Sequence, residues 1–200
     1  GMATGASMRY YDIFPPNGPS YDDINSAVLN FSTFGTVITS TSYSEVSGGI
    51  YTSTAQFVDQ QIHQNPGLIH VFSAGNAGPG YTTITGGRKA AKNTIAAANL
   101  EYQDVRTNSS SRGPAADGRL KPDISANGTG QMSLDANNGY SPGGGTSAAC
   151  PGIAGILAQM YQAYRDLNGG MNPKSSLMKA ILLNSAEDLG KQAKSIQQVG

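Results

Sequence analysis

Short apolar, β-prone runs alternate with stretches of helical periodicity along most of this chain. That alternation constrains the fold more than any other feature. Thr36–Ser42 (TVITSTS), Leu68–Ala74 (LIHVFSA) and Thr94–Leu100 (TIAAANL) read as strands. Between the first two, Thr52–Gln64 places Phe57, Val58 and Ile62 inward at helical spacing and stops at Pro66-Gly67. An earlier helix runs from about Asp22 to Ser32, with Ser20 as its cap and Ile24, Ala27, Val28 and Phe31 inward. Two helices close the pattern. Ser147–Leu167 carries Ile153, Ile156, Leu157, Met160 and Tyr164 on one stripe. Pro173–Ser185 starts with Asn172 as cap and Pro173 at the first helical position. Strands connected through helices lie parallel, and a parallel sheet needs cover on both faces. The fold class expected is therefore α/β, a parallel sheet flanked by helices on both faces, in a single domain over residues 1–200. Ala6–Phe14 (ASMRYYDIF), bounded by Pro15-Pro16, reads as one more strand. Residues 101–145 read as irregular, apart from a short strand at Asp123–Ala126 and a turn signal at Asn137-Asn138-Gly139.

Composition narrows the function classes. Lys and Arg total 13, as do Asp and Glu, so there is no electrostatic case for nucleic acid or acidic lipid as partner. No apolar run is long enough to span a bilayer as a helix. Cys150 is the only cysteine, which excludes an intrachain disulfide; within a helix it reads as a small buried apolar residue. No Asp, Glu and His cluster has metal-ligand spacing, so the residues themselves call for no cofactor.

The sharpest chemical feature is Gly143-Gly144-Gly145-Thr146-Ser147-Ala148-Ala149-Cys150-Pro151. A glycine-rich approach delivers a serine to the start of a long helix. Helix N-termini leave N–H groups unsatisfied and carry partial positive charge. A serine there can use its own N–H to stabilise an oxyanion during acyl transfer. Taken alone, such a run is more often a serine cap after a glycine loop. A phosphate-binding loop would need a lysine before the hydroxyl residue, and Thr146 stands there. The G-x-S-x-G elbow fails at Ala149. Ser73-Ala74-Gly75-Asn76 shifts the balance. It ends a parallel strand, where ligands bind, and an Asn side chain is a suitable second oxyanion donor.

With these blocks in view, the chain resembles the subtilisin-like serine peptidases. Ile38–Ser44 (ITSTSYS) is similar to the family's strand that pairs with substrate backbone. Ser73–Asn76 is similar to its oxyanion-Asn motif. Ser110–Pro114 (SSRGP) with Lys121-Pro122-Asp123 is similar to a signature lying between Asn and Ser. Gly145–Pro151 (GTSAACP) is similar to the nucleophile motif. The resemblance implies Ser147 as nucleophile and Asn76 as oxyanion donor. It implies substrate contacts at Ser42, Tyr43, Ser44, Ala74, Gly75, Gly145 and Thr146. It implies a peptide or protein substrate and a secreted or cell-envelope setting. Members of the family often bind calcium, but no ligand position carries over.

The departures carry as much information. Chain order in this family is Asp, His, Ser. Neither the Asp motif nor the His motif occurs here, and Gly1–Ala6 (GMATGA) resembles the segment that follows the catalytic His helix. Both motifs are expected upstream, with the N-terminal remainder of the domain as a partner and the 200 residues inactive alone. His63 and His70 occupy positions where the family has no catalytic base and read as structural. Gly152 stands where many relatives have His, and Asn127 replaces a common proline. Ser176-Leu177-Met178-Lys179 fits S-x-x-K but has no S-D-N or K-T-G companion. The competing reading is a non-catalytic protease-like module that binds peptides.

Overall fold

The computed structural model describes residues 2–10, 22–43, 48–135 and 138–189, with the backbone alone for 22–25. Helix α1 (Asp22–Phe34) leads into β1 (Ile38–Thr41), and α2 (Ser53–Gln64) into β2 (Ile69–Ser73). After β2 come β3 (Ile95–Leu100), β4 (Ile124–Asn127), β5 (Gln131–Asp135) and β6 (Gly139–Gly143). Helices α3 (Thr146–Leu167) and α4 (Ser175–Ser185) follow. Strands β1 to β4 form one parallel sheet in sequence order. Every residue of β2 and β3 is buried, as a parallel sheet covered on both faces requires. The α/β architecture is therefore as expected.

The register sorts the core into two faces. Ser40, Val71 and Ile95 lie side by side, as do Ser73, Ala97 and Ile124. Val71, Ile95 and Ala97 meet Cys150, Ile153, Leu157 and Tyr161 of α3, with Met178 and Leu182 of α4 behind. Phe72 points the other way, into Ala55 and Val58 of α2 and Ala91. Tyr161 is buried, and its hydroxyl donates to the Gly67 carbonyl at 3.0 Å. Burial pushes its phenol well above the ordinary range.

Several expectations are corrected. Residues 6–10 form no strand and are exposed, while 11–14 and the cap Ser20 lie outside the described residues. β-prone aromatics make a strand only where a neighbour and a half-buried surface receive them. Phe57 is on the rim at 38% exposure, because the buried stripe of α2 runs through Ala55, Val58 and Ile62. Helix α4 starts at Ser175, not Pro173, and Asn172 is no cap. Its Oδ1 instead accepts from Arg165 Nε and Nη2 at 2.7 and 2.5 Å. Residues 131–135 and 139–143 are not irregular. They form an antiparallel hairpin, β5 on β6, in which Asn138 turns the chain at φ 58°.

Candidate active site

Ser42 follows β1, Asn76 lies just beyond β2, and Ser147 is in the first turn of α3, so all three lie at the C-terminal end of the sheet. Thr146, the first residue of α3, ties them together. Its N–H donates to Asn76 Oδ1 at 3.0 Å, and its hydroxyl donates to the same oxygen at 3.1 Å. The hydroxyl also accepts from the Gly75 N–H at 3.1 Å. Two donors can be received only by the carboxamide oxygen, so this pair fixes which way the Asn76 amide faces. Asn76 Nδ2 is then turned outward, with no partner among the described residues.

Ser147 is placed with equal economy of means. Its Oγ donates to the Ser42 carbonyl at 3.3 Å, and Ser42 Oγ donates to the Ser147 carbonyl at 3.1 Å. Pro151 explains the second bond. The helical partner of the Ser147 carbonyl would be the N–H four residues on, and proline has none. The Ser147 N–H, in the first turn of α3, makes no bond among the described residues.

Glycines make the close approach feasible. Gly145 has φ 83°, and a Cβ there would lie 2.9 Å from Asn76 Oδ1. Gly75 has φ 113°, and its Cβ would come within 2.1 Å of Thr85 Oγ1 and 2.8 Å of Ser111 Oγ. Both positions demand glycine twice over, by conformation and by space. The SSRGP segment braces the Asn76 loop from below. The Ser111 N–H donates to the Gly75 carbonyl at 2.9 Å, and Ser111 Oγ accepts from the Ala77 N–H at 3.1 Å. Ser110 Oγ accepts from the Asn99 N–H at 3.0 Å, anchoring the brace to β3.

The implied contact residues divide into two groups. Ser42 is exposed, and Tyr43 and Gly145 are half-buried. Thr146, Ala74 and Gly75 are buried. The Thr146 hydroxyl is committed on both sides, and Ala74 and Gly75 use their N–H and C=O groups on neighbours. The Thr146 hydroxyl and N–H are spent on holding the Asn76 carboxamide. Ser44 lies outside the described residues. Thr85, packed against Gly75, has no signal in the sequence.

Neither histidine reaches Ser147. His63 is exposed in the last turn of α2, at the opposite end of the sheet. His70 is buried inside β2, where its Nδ1 meets Thr39 Oγ1 at 2.7 Å. Burial, helped by the positive charge of Arg88, lowers its pKa to about 4, so the ring is neutral at pH 7. Lys179, of the S-x-x-K pattern, is held far from Ser147 by Asp123 Oδ1 at 2.9 Å and the Thr94 carbonyl at 2.7 Å. Cys150 is fully buried, and burial pushes its thiol up, away from the reactive thiolate. Among the described residues no group of three His, Cys, Asp or Glu could hold a metal ion. No helix among them is long and apolar enough to cross a membrane.

The sequence model of the subtilase family, peptidase family S8, matches residues 1–200. The chain belongs to the subtilases. It is 28% identical over 200 residues to the human membrane-bound transcription factor site-1 protease, covering 94% of this chain and 18% of that one. It is 40% identical over 82 residues to the C5a peptidase of Streptococcus pyogenes, 40% of this chain and 7% of that protein. Sphericase superposes with a TM-score of 0.65 at 23% identity, over 87% of this subtilase and 58% of the solved chain. The prenylagaramide maturation protease PagA superposes at 0.69 and 19% identity, over 86% and 60%. At these identities the superpositions establish the fold. This subtilase thus spans a minor part of its curated relatives and somewhat over half of its solved ones.

Proposed function

We propose that this subtilase chain carries the nucleophile and oxyanion donors of a serine endopeptidase. The observation that supports this best is the pair of donors without a partner among the described residues, the Ser147 N–H and Asn76 Nδ2, beside the Ser147 hydroxyl. Ser147 Oγ attacks the scissile carbonyl, and the two donors receive the oxyanion that forms. A histidine oriented by an aspartate accepts the serine proton and returns it to the leaving amine. These 200 residues bring no histidine to Ser147, so the reading takes the base and its aspartate from a further segment of the same domain. Substrate backbone adds along Ser42 and Tyr43, beyond the end of β1, as an extra strand.

One observation favours a second reading. The Ser147 hydroxyl is engaged by the Ser42 carbonyl rather than by a base, which also suits a module that binds peptides without cleaving them. A fluorophosphonate probe separates the two. The natural polypeptide that contains these residues should label rapidly at Ser147 and cleave a denatured protein, and Ser147→Ala should abolish both. The 200 residues alone should label poorly, because an unassisted serine is a weak nucleophile. A folded natural polypeptide with no Ser147-dependent labelling or cleavage would leave peptide binding as the function.

A further inference from the structure

At the end of the sheet away from Ser147, a cavity of about 310 Å³ opens between three segments. Ile62 of α2, Lys92 and Asn93 ahead of β3, and Ser175 and Ser176 of α4 stand around it. Lys179, Ala180 and Leu183 continue its wall along α4. Small-molecule sites take volumes of about 300–1,000 Å³, so this one has room for a small ligand.

The start of α4 leaves donors unused there. The first N–H groups of a helix have no partner within it. Ser175 donates to the Pro66 carbonyl at 2.6 Å, and Leu177 and Met178 donate to the Lys174 carbonyl at 3.0 and 3.2 Å. The Ser176 N–H makes no bond among the described residues, and Lys174 gives no side-chain cap. The Ser175 hydroxyl is a separate observation. Ser175 is 5% exposed and lines the cavity, yet its Oγ has no partner among the described residues. A nearly buried hydroxyl in that state costs free energy unless a group in the cavity meets it.

Charge sets the sign of that group. The N-terminal end of α4 carries partial positive charge. Lys92 holds its ammonium 5.0 Å from the centre of the Tyr51 ring and makes no ion pair among the described residues. Lys121 and Lys179 share the one carboxylate of Asp123. Asp59, beside Lys92, is committed to Tyr51 Oη at 3.0 Å and to the Lys92 and Asn93 N–H groups at 2.9 and 2.8 Å. Three lysines thus stand against two carboxylates. Further along, the wall changes character. Ala180 and Leu183 lie one and two turns beyond Ser176 on the same face of α4, so Leu183 is about 10 Å away along the axis. With Ile62 they offer only hydrocarbon.

We propose that this cavity binds a small alkyl phosphate monoester, its head on the Ser175 hydroxyl, the Ser176 N–H and Lys92, and its chain along Ala180 and Leu183. A phosphate supplies an oxygen to each of the three donors, and a helix N-terminus favours its charge. The assignment does not depend on the reading of Ser147.

Calorimetric titration of the natural polypeptide containing these residues, with octyl phosphate below its micellar concentration, tests this. Octyl phosphate should bind at least about 10-fold more tightly than inorganic phosphate, which lacks the chain, octanol, which lacks the charge, or octylammonium, which has the wrong sign. Ser176→Glu should lower its affinity at least about 10-fold by placing a like charge at the head. An acid there favours the helix, so that loss should come with unchanged or raised thermal stability. Lys92→Met, at an exposed position, should weaken octyl phosphate by roughly 3- to 10-fold and leave octanol as it was. The proposal is overturned by no binding of octyl phosphate, by octanol, octylammonium or inorganic phosphate binding as tightly, or by full affinity in folded Ser176→Glu or Lys92→Met.

Discussion

Two polar networks sit at opposite ends of the same sheet, and they are finished differently. At the N-terminal ends of β3 and β4, Lys121 Nζ meets Asp123 Oδ2 at 2.6 Å and the Thr94 carbonyl at 3.2 Å. Asp123 Oδ2 also accepts from the Ala96 N–H at 2.8 Å, and Lys179 takes the other oxygen at 2.9 Å. Both carboxylate oxygens are satisfied and both ammonium groups are held. At the other end, Asn76 offers one oxygen to Thr146 and keeps its amino group turned outward, while the Ser147 N–H stays open. The closed network welds α4 to the sheet. The open one leaves two donors, the Ser147 N–H and Asn76 Nδ2, without a partner among the described residues. Polar groups by themselves do not mark a site; polar groups fixed in place with capacity left over do.

The comparison breaks most visibly at Asp123. Asp123→Ala leaves Lys121 and Lys179 as neighbouring cations, one of them buried. Removing one member of a buried ion cluster costs about 3–5 kcal/mol. Urea unfolding should show that loss, with Ser147 reactivity per folded molecule unchanged. Reactivity falling in step with stability would mean the two ends are coupled and the contrast is false.

Next in size is Asn76→Asp. The new carboxylate can still accept from Thr146, so the fold should hold. The outward amino donor is gone, and a negative charge stands where the oxyanion would form. Turnover by the natural polypeptide should drop at least about 100- to 1000-fold, the effect of losing this kind of donor in subtilisin, itself a subtilase. The Michaelis constant should change little, because the lost bond belongs to the transition state. A loss confined to the Michaelis constant would move Asn76 from stabilising the oxyanion to holding substrate.

Between the two networks lies His70, which belongs to neither. Its Nε2 is buried with no partner among the described residues, so protonation finds no acceptor. A folded pKa of about 4 against 6.5 means the unfolded chain binds more protons between those values. Stability therefore falls as pH drops through that window, by roughly 3 kcal/mol from this residue at the acid end. His70→Gln should flatten that part of the stability–pH curve relative to the unaltered protein. Parallel curves would show that Arg88 and burial do not hold the ring neutral.

How much of this was legible beforehand follows from what each residue depends on. Strands β2 and β3 were readable because burial on both faces writes a continuous apolar run. The meeting of the Ser147 and Asn76 segments was expected because the local runs around both resemble family motifs. The hold of Thr146 on Asn76 was not, since it rests on bonds to a residue 70 positions away in sequence. Thr85 and Ser111 matter through the space Gly75 leaves them, which no local pattern encodes. The β5–β6 hairpin was missed although its turn was seen. GYSPG is poor in β-formers and every residue of β5 is exposed, so neither propensity nor alternation marks the strands.

The smallest expected effect sharpens the comparison most finely. The Ser42 hydroxyl serves the Ser147 carbonyl only because Pro151 cannot. Ser42→Ala should cost about 0.5–1.5 kcal/mol of stability, the net value of one hydrogen bond, and less where water reaches the freed carbonyl. The Ser147 hydroxyl would keep its contact, since that bond goes to the Ser42 backbone. Pro151→Ala restores an N–H aimed at the same carbonyl, and in that background Ser42→Ala should cost almost nothing. The double-mutant cycle should therefore show a coupling about equal to the single Ser42 effect, although the two residues are 109 positions apart in sequence. Purely additive effects would mean that Ser42 does not replace the missing rung of α3. The open end of the sheet would then hold Ser147 by the helix start alone.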